Sequence, residues 1–184
     1  KNAVTILYTN DIHAYLNNDA TSEKSLSYAE IAQMKKDLGE YVLLVDAGDH
    51  VQGTAYGSMD KGESIIKLMN AAHYDVATLG NHEFDYGLEN LARLIQMADF
   101  PFICTNYDFS GTPVEGLVKP YIIIERAGVR VGVLGVSPEL KGLVSKKYYG
   151  KTKYKKPAKA VQPGIDLLRH KEQCDLVICL SHLG

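Results

Sequence analysis

Four short segments of the sequence carry residue types that hold metal ions and move protons. Asp11-Ile12-His13 sets a carboxylate and an imidazole two residues apart. Asp49, within Gly48-Asp49-His50-Val51-Gln52-Gly53, offers a carboxylate able to span two cations. Asn81 offers a neutral amide oxygen and His182 a further imidazole. Oxygen and nitrogen donors without thiolate suit Mn, Zn, Fe, Co or Ni better than Ca. Several such ligands allow two divalent metals roughly 3.5 to 4 Å apart, a pair that activates a water and stabilises the leaving and non-bridging oxygens of an in-line displacement. His82 reads as an acid rather than a ligand. Asp85, three residues on, can orient its imidazole and support the charged form, the usual arrangement for protonating a leaving group. Phosphoryl transfer asks little more of a protein than positioning and positive charge.

The elements that must position these residues alternate. Val4 to Tyr8 is a β-rich run, and Tyr41 to Val45 is an uninterrupted apolar run of the kind buried on both faces. Tyr74 to Leu79, Phe102 to Thr105 and Asp175 to Leu180 read as further strands. Pro120 to Glu125 and Val129 to Val136 flank Arg126-Ala127-Gly128 as a hairpin. Helical spacing marks Ser27 to Leu38, Glu63 to Ala72, Leu88 to Ala98 and a segment near Ala158 to His170. The class is therefore α/β, with one antiparallel interruption. Strand after strand ends in a polar cluster: Asp11 and His13, Asp49, Asn81 and His82, Asn106, His182. Ligands of open α/β sheets collect beyond the carboxyl ends of the strands, so residues distant in sequence share one pocket. Each fragment alone recurs in ordinary turns; ordered clusters at four successive strand exits do not.

Composition narrows the class. The chain has 184 residues, 46% hydrophobic and 23% charged, enough to bury a core without disulfide or metal staples. No apolar run approaches the roughly 18 to 20 residues of a membrane helix. Its net charge of −2 argues against a general nucleic-acid or polyanion binder. That balance hides an asymmetry. Eight lysines lie between Lys141 and Lys159 without an intervening acid; removing them from the 20 basic residues leaves 12 against 22 acidic ones, a net of −10. With Tyr148, Tyr149 and Tyr154 the stretch has the basic and aromatic interleaving of single-strand binders. Gly142, Gly150 and Pro157 make a mobile, solvated loop the plainer expectation, with steering of an anionic substrate as its functional alternative. Cys104, Cys174 and Cys179 are too few for a disulfide scaffold and read as buried thiols. His73 and His170 read as helix-end residues, His50 as a surface residue, a support behind the metal ligands or a substrate contact, and Asn106 as a turn former, a support behind the ligands or a phosphate-facing amide.

The sequence resembles the metallophosphoesterase (calcineurin-like) superfamily. Within it, the likeness is to the N-terminal catalytic domain of the 5′-nucleotidase, UDP-sugar hydrolase and 2′,3′-cyclic phosphodiesterase family. The residues that carry it are Thr9-Asn10-Asp11-Ile12-His13, Gly48 to Thr54, Gly80-Asn81-His82-Glu83-Phe84-Asp85-Tyr86-Gly87 and Leu180-Ser181-His182-Leu183-Gly184. The resemblance covers essentially the whole chain, taken as one catalytic domain over residues 1–184. It implies a four-layer α/β/β/α sandwich and two divalent metal ions. Asp11 and His13 would hold the first, Asp49 would bridge, and Asn81 and His182 would hold the second. His82 with Asp85 would form the catalytic dyad, and the attacking species would be a metal-activated water. The implied reaction is phosphoester hydrolysis on nucleotides. Cyclic-nucleotide or nucleotide-sugar hydrolysis is the alternative within enzymes, and a non-catalytic scaffold the alternative outside them. Retention of His82 and Asp85 argues against the scaffold. The implied location is extracytoplasmic, periplasmic or on the cell surface. The family's later Gly-His-x-His or Gly-His-x-Gln segment and its base-stacking C-terminal domain have no counterpart here. The expectation is therefore that these residues alone form an incomplete sandwich, bind metals weakly and turn over little substrate.

Overall fold

The computed structural model describes residues 3–13, 26–53 and 55–183; Thr54 and Gly184, which close two of the motifs, lie outside them. Strand β1 (Thr5–Thr9) runs parallel to β2 (Val42–Asp46), with Leu7 opposite Leu44 and Thr9 opposite Asp46. Helix α1 (Tyr28–Leu38) lies between them in sequence. It starts at a reciprocal cap in which Ser27 Oγ accepts the Glu30 N–H and the Glu30 carboxylate accepts the Ser27 N–H. Tyr41, expected within the second strand, instead closes a 3-10 turn before it. Helices α2 (Ala55–Met59) and α3 (Glu63–Ala71) lead to β3 (Val76–Ala77), which extends the parallel sheet beside β2. Helix α4 (Gly87–Met97) follows.

Phe102 to Thr105, expected as a strand, joins no ladder of its own. Its backbone is shared between two sheets one residue at a time: Ile103 N–H donates to Ala77, Cys104 N–H to Lys119 and Thr105 N–H to Gly135. After β4 (Tyr107–Asp108), the hairpin β5 (Tyr121–Arg126) and β6 (Val129–Val136) forms as expected. Ala127 and Gly128 turn it with φ of 51° and 74°, the backbone a two-residue hairpin favours. Then come α5 (Lys146–Tyr149), β7 (Lys153–Tyr154), α6 (Pro157–Asp166) ending in a π turn, and β8 (Leu176–Ser181), parallel to β6.

Side-chain alternation builds the layers. Leu43 and Val45 of β2 pack with Val131 and Val133 of β6, Leu180 of β8 and Ile103, a core between the two sheets. Leu44, on the opposite face of β2, packs with Ile65, Ile66, Met69 and Leu91 of the helices. On the outer face of β6, Gly132 and Leu134 meet the last helix. A Cβ built on Gly164 would come within 2.8 Å of Leu134 Cδ2, and one on Gly132 within 2.9 Å of Leu168. The order is helices, sheet, sheet, helix, the α/β/β/α sandwich of the expectation.

The lysine-rich stretch is not the mobile loop its glycines suggested. Strand β7 pairs antiparallel with β4, Lys155 N–H donates to the Asn106 carbonyl, and α5 packs its tyrosines inward. All three cysteines are free, but only Cys104 is buried; Cys174 is half-buried and Cys179 exposed. No helix among the described residues is long and apolar enough to cross a membrane.

Candidate functional site

The segments leaving the carboxyl ends of β1, β2, β3 and β8 meet at one end of the sandwich. Asp11 N–H donates to the Gly48 carbonyl at 3.1 Å and His13 N–H to the Asp49 carbonyl at 2.9 Å, so the first two exits run side by side. Asp11, His13 and Asp49 have φ of 54°, 50° and 57°. Left-handed backbone costs a non-glycine residue about 1–2 kcal/mol, and such strain persists where the surroundings over-determine it. Here the neighbouring exit does so. A Cβ on Gly48, whose own φ is 103°, would lie 2.5 Å from Gly80 N, and one on Gly80 would lie 2.1 Å from Asp49 Oδ1. Gly48→Ala is therefore expected to cost about 3 kcal/mol or more, since strain and backbone overlap add. A urea midpoint indistinguishable from the native one would contradict this.

Asp49 is 3% exposed and is the hub. Its Oδ1 accepts the His82 N–H at 2.8 Å, and its Oδ2 lies 3.2 Å from His182 Nε2 and 4.0 Å from His13 Nε2. Burial alone would raise its pKa, but the hydrogen bonds from His182 and the His82 N–H and the nearby imidazole charge hold it below the usual value. His182, 8% exposed, directs Nδ1 to the Ala47 carbonyl at 2.9 Å and to Asn10 Oδ1 at 3.1 Å. His13 directs Nδ1 to the Gln52 carbonyl at 3.0 Å. A carbonyl only accepts, so in both rings Nδ1 carries a proton and Nε2 faces the carboxylates. Asp11 Oδ1 lies 3.5 Å from His13 Nε2 and 3.8 Å from His182 Nε2. Burial opposes the charged form of His182, but Asp49, Glu83 and Asp11 together push its pKa up to about 9.

His82 Nδ1 donates to Asp85 Oδ2 at 2.7 Å, so the two form the pair read from their spacing. Burial opposes its charged form, yet the Asp85 hydrogen bond and the charges of Asp49, Asp85 and Glu83 raise its pKa above the ordinary histidine value. Its ring stands edge-on to His13, centroids 5.3 Å apart. Asn81 precedes it at the start of the 3-10 turn, and its side chain makes no capping bond there.

Several other sequence candidates fall elsewhere. His50 is fully buried, which excludes the surface and substrate-contact readings and leaves the support behind the ligands. Its Nδ1 donates to Asp46 Oδ1 at 2.7 Å; burial opposes its charge, but Glu83 and Asp46 push its pKa up to about 9. Asn106 is also fully buried. Its amide joins the Ser137 backbone at 2.8 and 2.9 Å and the Lys155 carbonyl at 3.2 Å, so it fastens three segments and faces no phosphate. His73 and His170 are exposed at helix ends, as expected.

Two residues escaped sequence reasoning. Glu83, 1% exposed, accepts backbone N–H groups from Asp49 at 2.8 Å, Gly80 at 2.6 Å and His50 at 2.8 Å, clamping the second exit to the third. Asn10 accepts from His182 and donates to Asp11 Oδ2. The only signal for either is its place inside a motif.

The donor set fits a divalent cation. Asp11, Asp49 and His182 offer ligand atoms all within 4.8 Å of one another, as do His13, Asp49 and His82. The Nδ1 groups of His13 and His182 are committed to backbone acceptors, which fixes ring orientation as in most histidine ligands.

The family model for calcineurin-like phosphoesterase matches residues 4–184. A snake venom 5′-nucleotidase of Gloydius brevicauda is 36% identical over 146 residues, covering 72% of this chain and 25% of the relative. A 5′-nucleotidase of Homo sapiens is 32% identical over 199 residues, covering 98% and 34%. Among solved structures, a 5′-nucleotidase precursor from Thermus thermophilus superposes with a TM-score of 0.87 at 29% identity, over 98% of this chain and 37% of that one. The chain thus spans between a quarter and about a third of the length of these curated relatives.

Proposed function

Because the chain belongs to the calcineurin-like phosphoesterase family, we propose that its strand-exit site hydrolyses phosphoesters of nucleotides with the help of two divalent metal ions. The observation that carries this is the convergence of Asp11, His13, Asp49, His82 and His182 on one point, with the outward imidazole nitrogens aimed at the carboxylates. The 5′-nucleotidase names of the relatives support the nucleotide, and the venom relative supports an extracytoplasmic location. Residues 1–184 are read as the catalytic module.

Asp11 and His13 would hold one ion, Asp49 would span both, and Asn81 with His182 would hold the other. Bound there, such ions supply a nucleophile at neutral pH and neutralise the phosphoryl oxygens. The chain's own residues do the rest. Asn10 and the Ala47 carbonyl orient His182, and the Gln52 carbonyl orients His13. His82 gives a proton to the departing oxygen, and Asp85 holds the ring and supports its charge.

The test separates proton donation from metal binding. His82→Asn is expected to lower kcat for a nucleoside monophosphate by about 10²- to 10³-fold. With a nitrophenyl ester, whose leaving group departs without a proton, the loss should shrink to a few-fold. Equal losses on both esters would show that His82 is not the acid.

A further inference from the structure

The lysine-rich stretch is the feature the site leaves unexplained, and its position is informative. Helix α5 lies on the first turn of α4: Tyr148 Cδ1 comes within 4.0 Å of a Cβ built on Gly87, and Leu88 within 3.1 Å of one on Gly150. Gly87 is two residues past Asp85 and five past His82. At about 2 Å per residue, the rise of a 3-10 turn, Gly87 lies within about 10 Å of the proposed acid, and α5 packs against it. Lys147 Nζ sits 4.6 Å from the centre of the Tyr148 ring, and Lys146 Nζ 4.6 Å from that of Tyr149. All eight lysines of the stretch are exposed. Of these eight, only Lys153 has a carboxylate of the described residues within ion-pair distance, Asp108 at 3.7 Å.

Two facts select the partner. Single-strand nucleic acid needs free aromatic faces for base stacking. Here Tyr148, Tyr149 and Tyr154 are half-buried against the core, and the first two carry lysine ammoniums over their rings. What remains on offer is point charge suited to phosphate. The range of that charge then matters. Screening in physiological salt acts over about 8 Å, so these ammoniums do little to a phosphate at the reacting centre and act on groups that reach them.

We propose that Lys146, Lys147 and Lys151 form an outer anion subsite for the further phosphates of a substrate that carries more than one, such as a nucleoside di- or triphosphate. The proposal rests on the nucleotide phosphoesterase reading of the neighbouring site. The lysines are positioning and specificity residues, set outside the centre that takes the reacting phosphate.

The test compares the full native chain with the K146Q/K147Q/K151Q variant. With divalent metal chelated, calorimetry measures binding of inorganic tripolyphosphate and of orthophosphate. Each exposed charge is worth about twofold, so tripolyphosphate affinity should fall about tenfold while orthophosphate affinity stays the same. With metal present, kcat/KM for a nucleoside triphosphate relative to the monophosphate should fall by the same factor, with kcat nearly constant. Unchanged tripolyphosphate affinity, or an unchanged kinetic ratio, overturns the subsite. Tighter binding of an oligonucleotide than of tripolyphosphate at matched charge overturns it in favour of nucleic acid. If the native chain hydrolyses neither nucleotide, the calorimetry alone decides the subsite, and metal binding judges the phosphoesterase reading.

Discussion

Asp49→Asn is expected to remove about 10³-fold or more of the phosphoesterase activity while leaving the fold in place. The reasons are local. Asp49 lies at the centre of the cluster, with one carboxylate oxygen on the His82 N–H and the other facing His182 and His13. An amide has the same shape, so its oxygen can keep the His82 bond. Its NH₂ then faces the imidazoles and offers no lone pair or charge to a cation. Losing one preorganised electrostatic group typically costs 10²- to 10³-fold, and Asp49 would serve two ions rather than one. Stability should fall by about 1–3 kcal/mol without loss of the fold, because the amide keeps the His82 bond but leaves buried His182 without its counter-charge. Phosphate release and thermal denaturation, measured on one preparation, check both halves. Retention of a tenth of the native rate would count against the bridging role.

Glu83→Gln should produce the largest loss of stability. The carboxylate accepts three backbone N–H groups from two exits, inside a fully buried pocket. Glutamine replaces one acceptor oxygen by a donor, so at least one buried N–H loses its partner whichever way the amide turns. His50, which sits 3.6 Å from Glu83 Oε1, also loses a counter-charge. Breaking a buried charged network costs about 3–5 kcal/mol. For a chain of this size that corresponds to a fall in Tm of about 10 °C. The same change at Glu30, an exposed capping residue, should lower Tm by no more than about 2 °C. Comparable shifts at the two positions would deny Glu83 its clamping role.

The contrast between those glutamates illustrates what a sequence exposes. Glu30 advertises itself, because Ser27-x-x-Glu30 is a local pattern with a local partner. Glu83 does not, because its three partners come from backbone donors brought near only by the fold. The apolar run before Asp46 was legible for the same reason as Glu30: no polar residue interrupts it, and β2 is indeed covered by helices on one face and a sheet on the other. Phe102 to Thr105 has the composition of a strand, but nothing in its residues tells that its hydrogen bonds divide between two sheets. Within the site, the residue types at the strand exits named the chemistry. Their left-handed backbone and the burial of His50 depend on how neighbouring exits press together, which no single segment encodes. The lysine stretch misled in the opposite direction: its glycines suggested mobility, while Asn106 and β4 hold it in place.

If one buried carboxylate organises two cation sites at the strand exits, metal binding must report it. The most direct measurement is a calorimetric titration of the full chain with Mn²⁺, on native protein and on Asp49→Asn. Two bound ions per native chain, with both affinities lowered by the single substitution, is the predicted result. A single site, or two sites indifferent to the loss of Asp49, would contradict it.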